Sequence, residues 1–156
     1  MKISITNFSL IFKNKIILIA LITWILNQAI KLFIFYITEK KWDMMRFFGA
    51  GGMPSTHSAL SMCVAVTIGF TEGWDSSLFA LALVISFIVM ADAAGVRRET
   101  GEQSKVLNKI ILEFFAERKI RDKNFEELIG HTPFEVIVGA FIGIIMACIL
   151  YGKLNF

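Results

Sequence analysis

An apolar run over residues 16–37 is the feature that most limits what this chain can become. Crossing the hydrocarbon core of a bilayer takes about 20 helical residues, and this run is long enough. Only Asn27, Gln28 and Lys31 interrupt it. The run is too long for a signal peptide and carries no small-residue cleavage site. Three further apolar blocks follow at residues 55–70, 76–96 and 133–151, each with polar residues at one end. A hydrophobic fraction of 56% and a mean hydropathy of +0.66 describe apolar residues gathered in blocks rather than alternating. The expected fold class is therefore all-α: an integral membrane helical bundle of about four transmembrane helices plus an interfacial amphipathic helix. With 156 residues, one domain over 1–156 is expected.

The net charge of +3 is modest, and no nucleic-acid partner is expected from it. Its distribution says more. With four crossings, the first and third connections share a side and hold eleven of the Lys and Arg residues, against four on the other side. The positive-inside rule then puts those connections in the cytoplasm and both termini outside. Residues 72–75, "EGWD", read as a tight outer turn that makes the second and third helices a hairpin. Within the polar segment 97–130, Val106, Leu107, Ile110, Ile111, Phe114 and Phe115 recur at helical spacing, as an amphipathic helix on the membrane or on the bundle requires. Cys63 and Cys148 lie in apolar helices without metal-ligand spacing and read as packing residues.

Charged and strongly polar residues inside membrane spans are costly, so they point to function. Lys31, with Asn27 and Gln28 beside it, lies near the cytoplasmic end of the first helix. Asp92 lies near that end of the third, just before Arg97 and Arg98. Ser55, Thr56 and His57 open the second helix there, and Glu135 opens the fourth. Pro54 and Pro133 suit first helical positions, where a missing N–H costs nothing. Two helix N-termini, with their unpaired amides and positive dipole ends, then face one polar cluster, and Gly49, Gly51 and Gly52 permit close backbone approach. This is an anion site, and phosphate is the favoured ligand. Lys31, Arg46, Arg97 and Arg98 supply countercharge. His57 in "PSTH" and His131 in "HTPFE" complete the set: one imidazole attacks phosphorus and the other protonates the leaving oxygen. Neither a metal nor another cofactor is required.

These residues resemble the type 2 phosphatidic acid phosphatase superfamily, which includes lipid phosphate phosphatases and vanadium haloperoxidases, and more closely its divergent small branch. "GGMPSTHSA" resembles the P-S-x-H element and "HTPFE" the H-x-x-x-D element with Glu for Asp; "DAAGVRRETGEQSKVLNK" and "ELIGHTPFEVIVGAFIG" are similar to stretches of the divergent branch. The resemblance implies His131 as nucleophile, Glu135 as its orienting carboxylate, His57 as general acid, and Ser55 with nearby amides, Thr56 among them, as phosphate ligands. The chain departs from the superfamily where Glu39 and Phe47 stand in place of a Lys and a Pro around Arg46, and where Phe125 stands in place of an Arg before the nucleophile. Arg97 and Arg98 are the candidate replacements.

Plainer readings stand beside these. Thr132, Pro133 and Glu135 form a T-x-x-E capping box that explains Glu135 without chemistry. Arg97 and Arg98 suit positive-inside anchors, Lys31 suits a snorkelling residue, and Asp92 suits a partner that positions an Arg. Gly139 and Gly143 form a G-x-x-x-G that serves packing or a homo-oligomer. The reading that joins most of the residues is a metal-independent phosphatase of the cell membrane. It would act at the cytoplasmic side on a bilayer lipid phosphate such as phosphatidylglycerol phosphate, phosphatidic acid or a prenyl phosphate. The rival is a non-enzymatic carrier of anions or lipid headgroups.

Overall fold

A computed structural model describes residues 10–40, 52–114 and 130–154, apart from the side chains of 97, 98 and 111–114. Arg46, Gly49 and Gly51 lie outside the described residues. The helices are α1 (Lys15–Glu39), α2 (Thr56–Glu72), α3 (Ser77–Ala94), α4 (Val96–Phe114) and α5 (Pro133–Lys153), and the described residues contain no strand.

Each membrane-facing helix starts on a side-chain cap. Asn14 Oδ1 accepts from the Ile16 and Ile17 amides at 2.9 and 3.2 Å, Ser76 Oγ accepts from Phe79 N at 3.2 Å, and Thr132 opens α5 with a complete capping box. The α2–α3 hairpin expected at "EGWD" is present. Gly73 turns the chain at φ 96°, which a side chain would strain, and the Trp74 ring folds onto Gly69, where a Cβ would approach it to 2.6 Å.

The bundle buries many polar groups beside a small apolar core of Ile19, Met62, Cys63, Val66 and Ala147, and it is greasy outside. Thr23, Asn27, Gln28, Lys31, Ser55, Ser58, Thr67, Ser86 and His131 are buried, while Leu78, Leu81, Ile85 and Ile88 of α3 and Phe134, Ile137, Phe141 and Ile145 of α5 are exposed along single helical faces. In water this would be inverted; in lipid it leaves the apolar stripes facing acyl chains and lets the polar groups satisfy one another. Lys15–Glu39, Ser77–Ile110 and Pro133–Lys153 are long and apolar enough to cross a membrane. The second expected crossing, α2, has 17 residues and is about 26 Å long. It is the central helix, packed against α1, α3 and α5 and most extensively against α5.

That closest packing explains the G-x-x-x-G. A Cβ on Gly139 would collide with the Ser55 carbonyl oxygen, and one on Gly143 with that of Ala59. The small residues therefore bring α5 onto α2 within one chain rather than onto a second copy. At the far end, Tyr151 Oη donates to the Phe70 carbonyl at 3.0 Å and stacks on the Phe70 ring, with Lys15 Nζ 5.8 Å above the Tyr151 ring. The start of α1 is thus level with the ends of α2 and α5.

The amphipathic segment begins earlier than its apolar spacing implies. Gly95 alone separates α4 from α3, with Glu99 N donating to Gly95 O at 3.0 Å, and among the described helices α4 packs only against α3. Val106, Leu107 and Ile110 are exposed. Cys63 is a packing residue in contact with Thr23 Oγ1 at 3.1 Å, whereas Cys148 is exposed and does not serve the core.

Candidate functional site

The site forms where α2 and α5 begin and α3 ends. Ser55 N donates to Glu135 O at 3.2 Å, joining the starts of α2 and α5, and His131 N donates to Ala93 O at 3.2 Å, joining α5 to the last turn of α3. Two positive helix ends therefore converge. Asn27, which meets the start of α2, is about 18 Å along α1 from Lys15, and Lys31 is about 24 Å along, so the site lies toward one boundary of a core of about 30 Å.

His131 is 3% exposed, and its Nδ1 is 3.0 Å from Glu135 Oε2. The same carboxylate oxygen accepts from Thr132 N at 3.2 Å, while Thr132 Oγ1 accepts from Glu135 N at 3.3 Å. The capping box and the histidine contact, two separate readings in the sequence, coexist in one side chain. An ionised carboxylate can only accept, so wherever Glu135 is ionised Nδ1 carries the proton, and a neutral His131 ring then has its lone pair on Nε2. The His57 ring faces it with centroids 6.4 Å apart and planes at 63°.

The start of α2 differs from the expected one. Pro54 is not its first residue: Ser55 is the N-cap and Thr56 begins the helix, because Ser55 Oγ accepts from Ser58 N at 3.5 Å. Ser55 Oγ also accepts from Ser58 Oγ at 3.0 Å and is fully buried beneath Gly139. Thr56 Oγ1 accepts from Asn27 Nδ2 at 3.0 Å and donates to Gln28 Oε1 at 3.1 Å. The Thr56 proton is thereby held by α1, which leaves its backbone amide as the group directed out of the helix start. Asn27 Nδ2 also reaches Pro54 O at 3.4 Å. Sequence reading noticed Asn27 only as a neighbour of Lys31. Its partners lie 27 and 29 residues away, and the available signal was an amide within an apolar run.

Lys31 is on the interior face of α1 and 6% exposed, so it does not snorkel along the outside of the bundle. Gly52, at φ 80°, lies over its aliphatic stem; a Cβ there would be 3.9 Å from Lys31 Cγ, so the glycine answers to backbone conformation rather than to crowding. Beyond Lys31, the last turns of α1 and residues Gly52 and Met53 line a half-open pocket of about 160 Å³ walled by Ile34 and Phe35. Asp92 is half-buried one residue before Ala93. Arg97 and Arg98 belong to the first turn of α4, and their side chains lie outside the described set. Glu102 pairs with Lys105 at 3.1 Å. Among the described residues no group of three or more His, Cys, Asp or Glu is arranged to hold a metal.

The "PSTH" and "HTPFE" blocks thus stand at two helix starts that meet within a helical bundle, with their histidine rings facing each other. The chain belongs to the divergent PAP2 family, whose model matches residues 12–146. It is 36% identical to the uncharacterized membrane protein YuiD of Bacillus subtilis over 157 residues, 94% of this chain and 95% of that one. No solved structure matches.

Proposed function

We propose that the chain is a membrane-embedded phosphatase that hydrolyses a lipid phosphate monoester or diphosphate through a phosphohistidine. The observation that carries this reading is a histidine held by a carboxylate at 3.0 Å with a second histidine across from it at 6.4 Å. In-line attack needs roughly 3 Å from nitrogen to phosphorus, and the acid needs roughly 3 Å to the leaving oxygen, so the scheme calls for two facing imidazoles on either side of one tetrahedral group.

In the proposed cycle His131 Nε2 attacks phosphorus and the bond to the lipid oxygen breaks. Protonated His57 gives its proton to that oxygen, and the Glu135 carboxylate stabilises the positive charge developing on His131. Water then gives a proton to His57 and attacks phosphorus, the P–N bond breaks, and inorganic phosphate leaves with His131 restored. Lys31, buried on the interior face of α1, carries phosphate charge together with the amides at the start of α2. Arg97, Arg98 and Arg46 supply further countercharge, and Ser55 shapes the start of α2 as its cap. Two nitrogen bases and a carboxylate suffice for this scheme, with no metal taking part.

Eleven basic residues on one side against four on the other support a cytoplasmic site in the cell membrane, with the leaving alcohol remaining in lipid. The test is release of inorganic phosphate from phosphatidic acid, phosphatidylglycerol phosphate and prenyl phosphates in detergent. Release that vanadate inhibits and chelators spare is expected. No release from any of the three would overturn the reading and leave the anion carrier as the better one.

A further inference from the structure

The half-open pocket beyond Lys31 begins where the candidate site ends. Asn27 meets the start of α2, Lys31 follows one turn later on the same face of α1, and Ile34, Phe35 and Thr38 continue that face along the pocket wall. Lys31 belongs to both places. From Lys31 to Phe35 is about 6 Å along the helix axis, so a group attached to a phosphate at Lys31 is within reach of Ile34 and Phe35. The depth is that of the first carbons of a lipid. Phe33 and Ile37 still form an exposed apolar face beside half-buried Ile34 and Phe35, and α1 ends only at Glu39.

Size and chemistry both limit what the pocket holds. Its volume is about 160 Å³. An apolar cavity of about 150 Å³ accepts benzene, so a segment of roughly five or six carbons fills the space. Ile34, Phe35 and Met53 make the wall apolar, and Thr38 Oγ1 donates its proton to the Ile34 carbonyl at 2.8 Å. Among the described side chains of the wall, Lys31 is the single cation, and it serves the phosphate. A glycerol carrying two acyl chains would bring ester oxygens, which only accept, against that wall. A leaving group with a second phosphate would meet the Glu39 carboxylate as a like charge. One hydrocarbon chain meets neither obstacle.

We propose that this pocket is the subsite for the alcohol attached to the phosphate, that it selects single-chain alcohols, isoprenoid or straight, over diacylated glycerol, and that Ile34 sets its size. This rests on the phosphatase reading and narrows its substrate to one class. The open side of the pocket lets the rest of the chain run on into the bilayer.

The probes are farnesyl phosphate and dioctanoyl phosphatidic acid, with methyl phosphate as the chainless reference. In detergent, kcat/KM of the wild type should be roughly tenfold to a hundredfold higher for farnesyl phosphate than for phosphatidic acid, the range for a small misfit in an apolar pocket. Ile34→Trp fills the pocket and should lower the ratio of farnesyl to methyl phosphate kcat/KM about tenfold. Ile34→Ala enlarges it and should bring the two lipids within a few-fold of each other. Ile145→Trp, on the exposed face of α5, is the control and should leave the ratios unchanged. A wild type that releases phosphate but prefers phosphatidic acid, or ratios that neither Ile34 variant moves, overturns the subsite and leaves the phosphatase standing. If Ile34→Trp does not fold, Ile34→Ala decides alone. Release from none of the substrates overturns the phosphatase reading, and thermal melts then decide the pocket: stronger stabilisation by farnesyl phosphate than by phosphatidic acid, lost in Ile34→Ala, upholds it, and equal stabilisation overturns it.

Discussion

Glu135 Oε2 is 3.0 Å from His131 Nδ1, and the same oxygen accepts from the amide that opens α5. One carboxylate thus sets the tautomer of a buried histidine and secures a helix end. Glu135→Gln can still cap Thr132 through its oxygen, but its NH2 then faces Nδ1 and moves the ring proton to Nε2. Phosphate release should fall by roughly 100-fold, within the usual range for a lost proton-transfer partner, with the melting temperature kept. Glu135→Ala should lose the activity and also about 1 kcal/mol of stability, the typical worth of a cap. Steady-state rates and thermal melts of the two variants separate the roles; a lower melt in Glu135→Ala with phosphate release unchanged in both variants would show that Glu135 only caps.

The two histidines should fail differently. His131→Ala removes the atom that bonds phosphorus and should abolish turnover of every substrate. His57→Ala should cost about 100-fold or more on an alkyl phosphate, whose leaving oxygen needs a proton, and much less on an aryl phosphate, whose leaving oxygen does not. The measurement is the pair of rates for each variant. Equal losses on both substrates in His57→Ala would remove its role as acid.

Much of this arrangement was legible because its parts are local. The spans announce themselves as apolar blocks, and "PSTH" and "HTPFE" each bring their residues to a helix start within a single turn. What could not be read depends on distance along the chain. Nothing in the sequence says that Asn27 meets Pro54 and Thr56, or that Ser55 lies under Gly139, because those pairs are made by the crossing of helices. Pro54 looked like a first helical residue on propensity alone; the start moved because Ser55 can accept from Ser58 N and a proline cannot. Cys148 looked internal because an all-apolar helix has no periodicity to separate its lipid face from its bundle face.

Gly139→Ala and Gly143→Ala each place a methyl group against a backbone carbonyl, which cannot rotate away as a side chain can. Each should destabilise the protein by about 1–3 kcal/mol, the usual cost of overpacking, and leave the oligomeric state unchanged. Gly152→Ala, with nothing within 4 Å of the added atom, is the control. Thermal melts and size-exclusion chromatography in detergent check both points.

Single cysteines test which side the site faces. In a background with Cys148 replaced by serine, Asp75→Cys in the α2–α3 turn should react with an impermeant thiol reagent on intact cells. Gln103→Cys in α4 should react only after the cells are opened. The reverse pattern would put the candidate site on the outer side and turn the substrate search to outer-leaflet lipids.

The intimate seam between α2 and α5 also sets an order of events during biosynthesis. Translation delivers α1, then the α2–α3 hairpin, and only later the helix whose glycines lie against Ser55 and Ala59. Until then α2, the shortest of the five helices, must wait beside α1 and α3 with its most extensive contact face unfilled. His57 has already been made at that stage, while His131 and Glu135 have still to emerge from the ribosome. The two histidines meet in the same step that completes the packing of the bundle, so no partly made chain carries an assembled site.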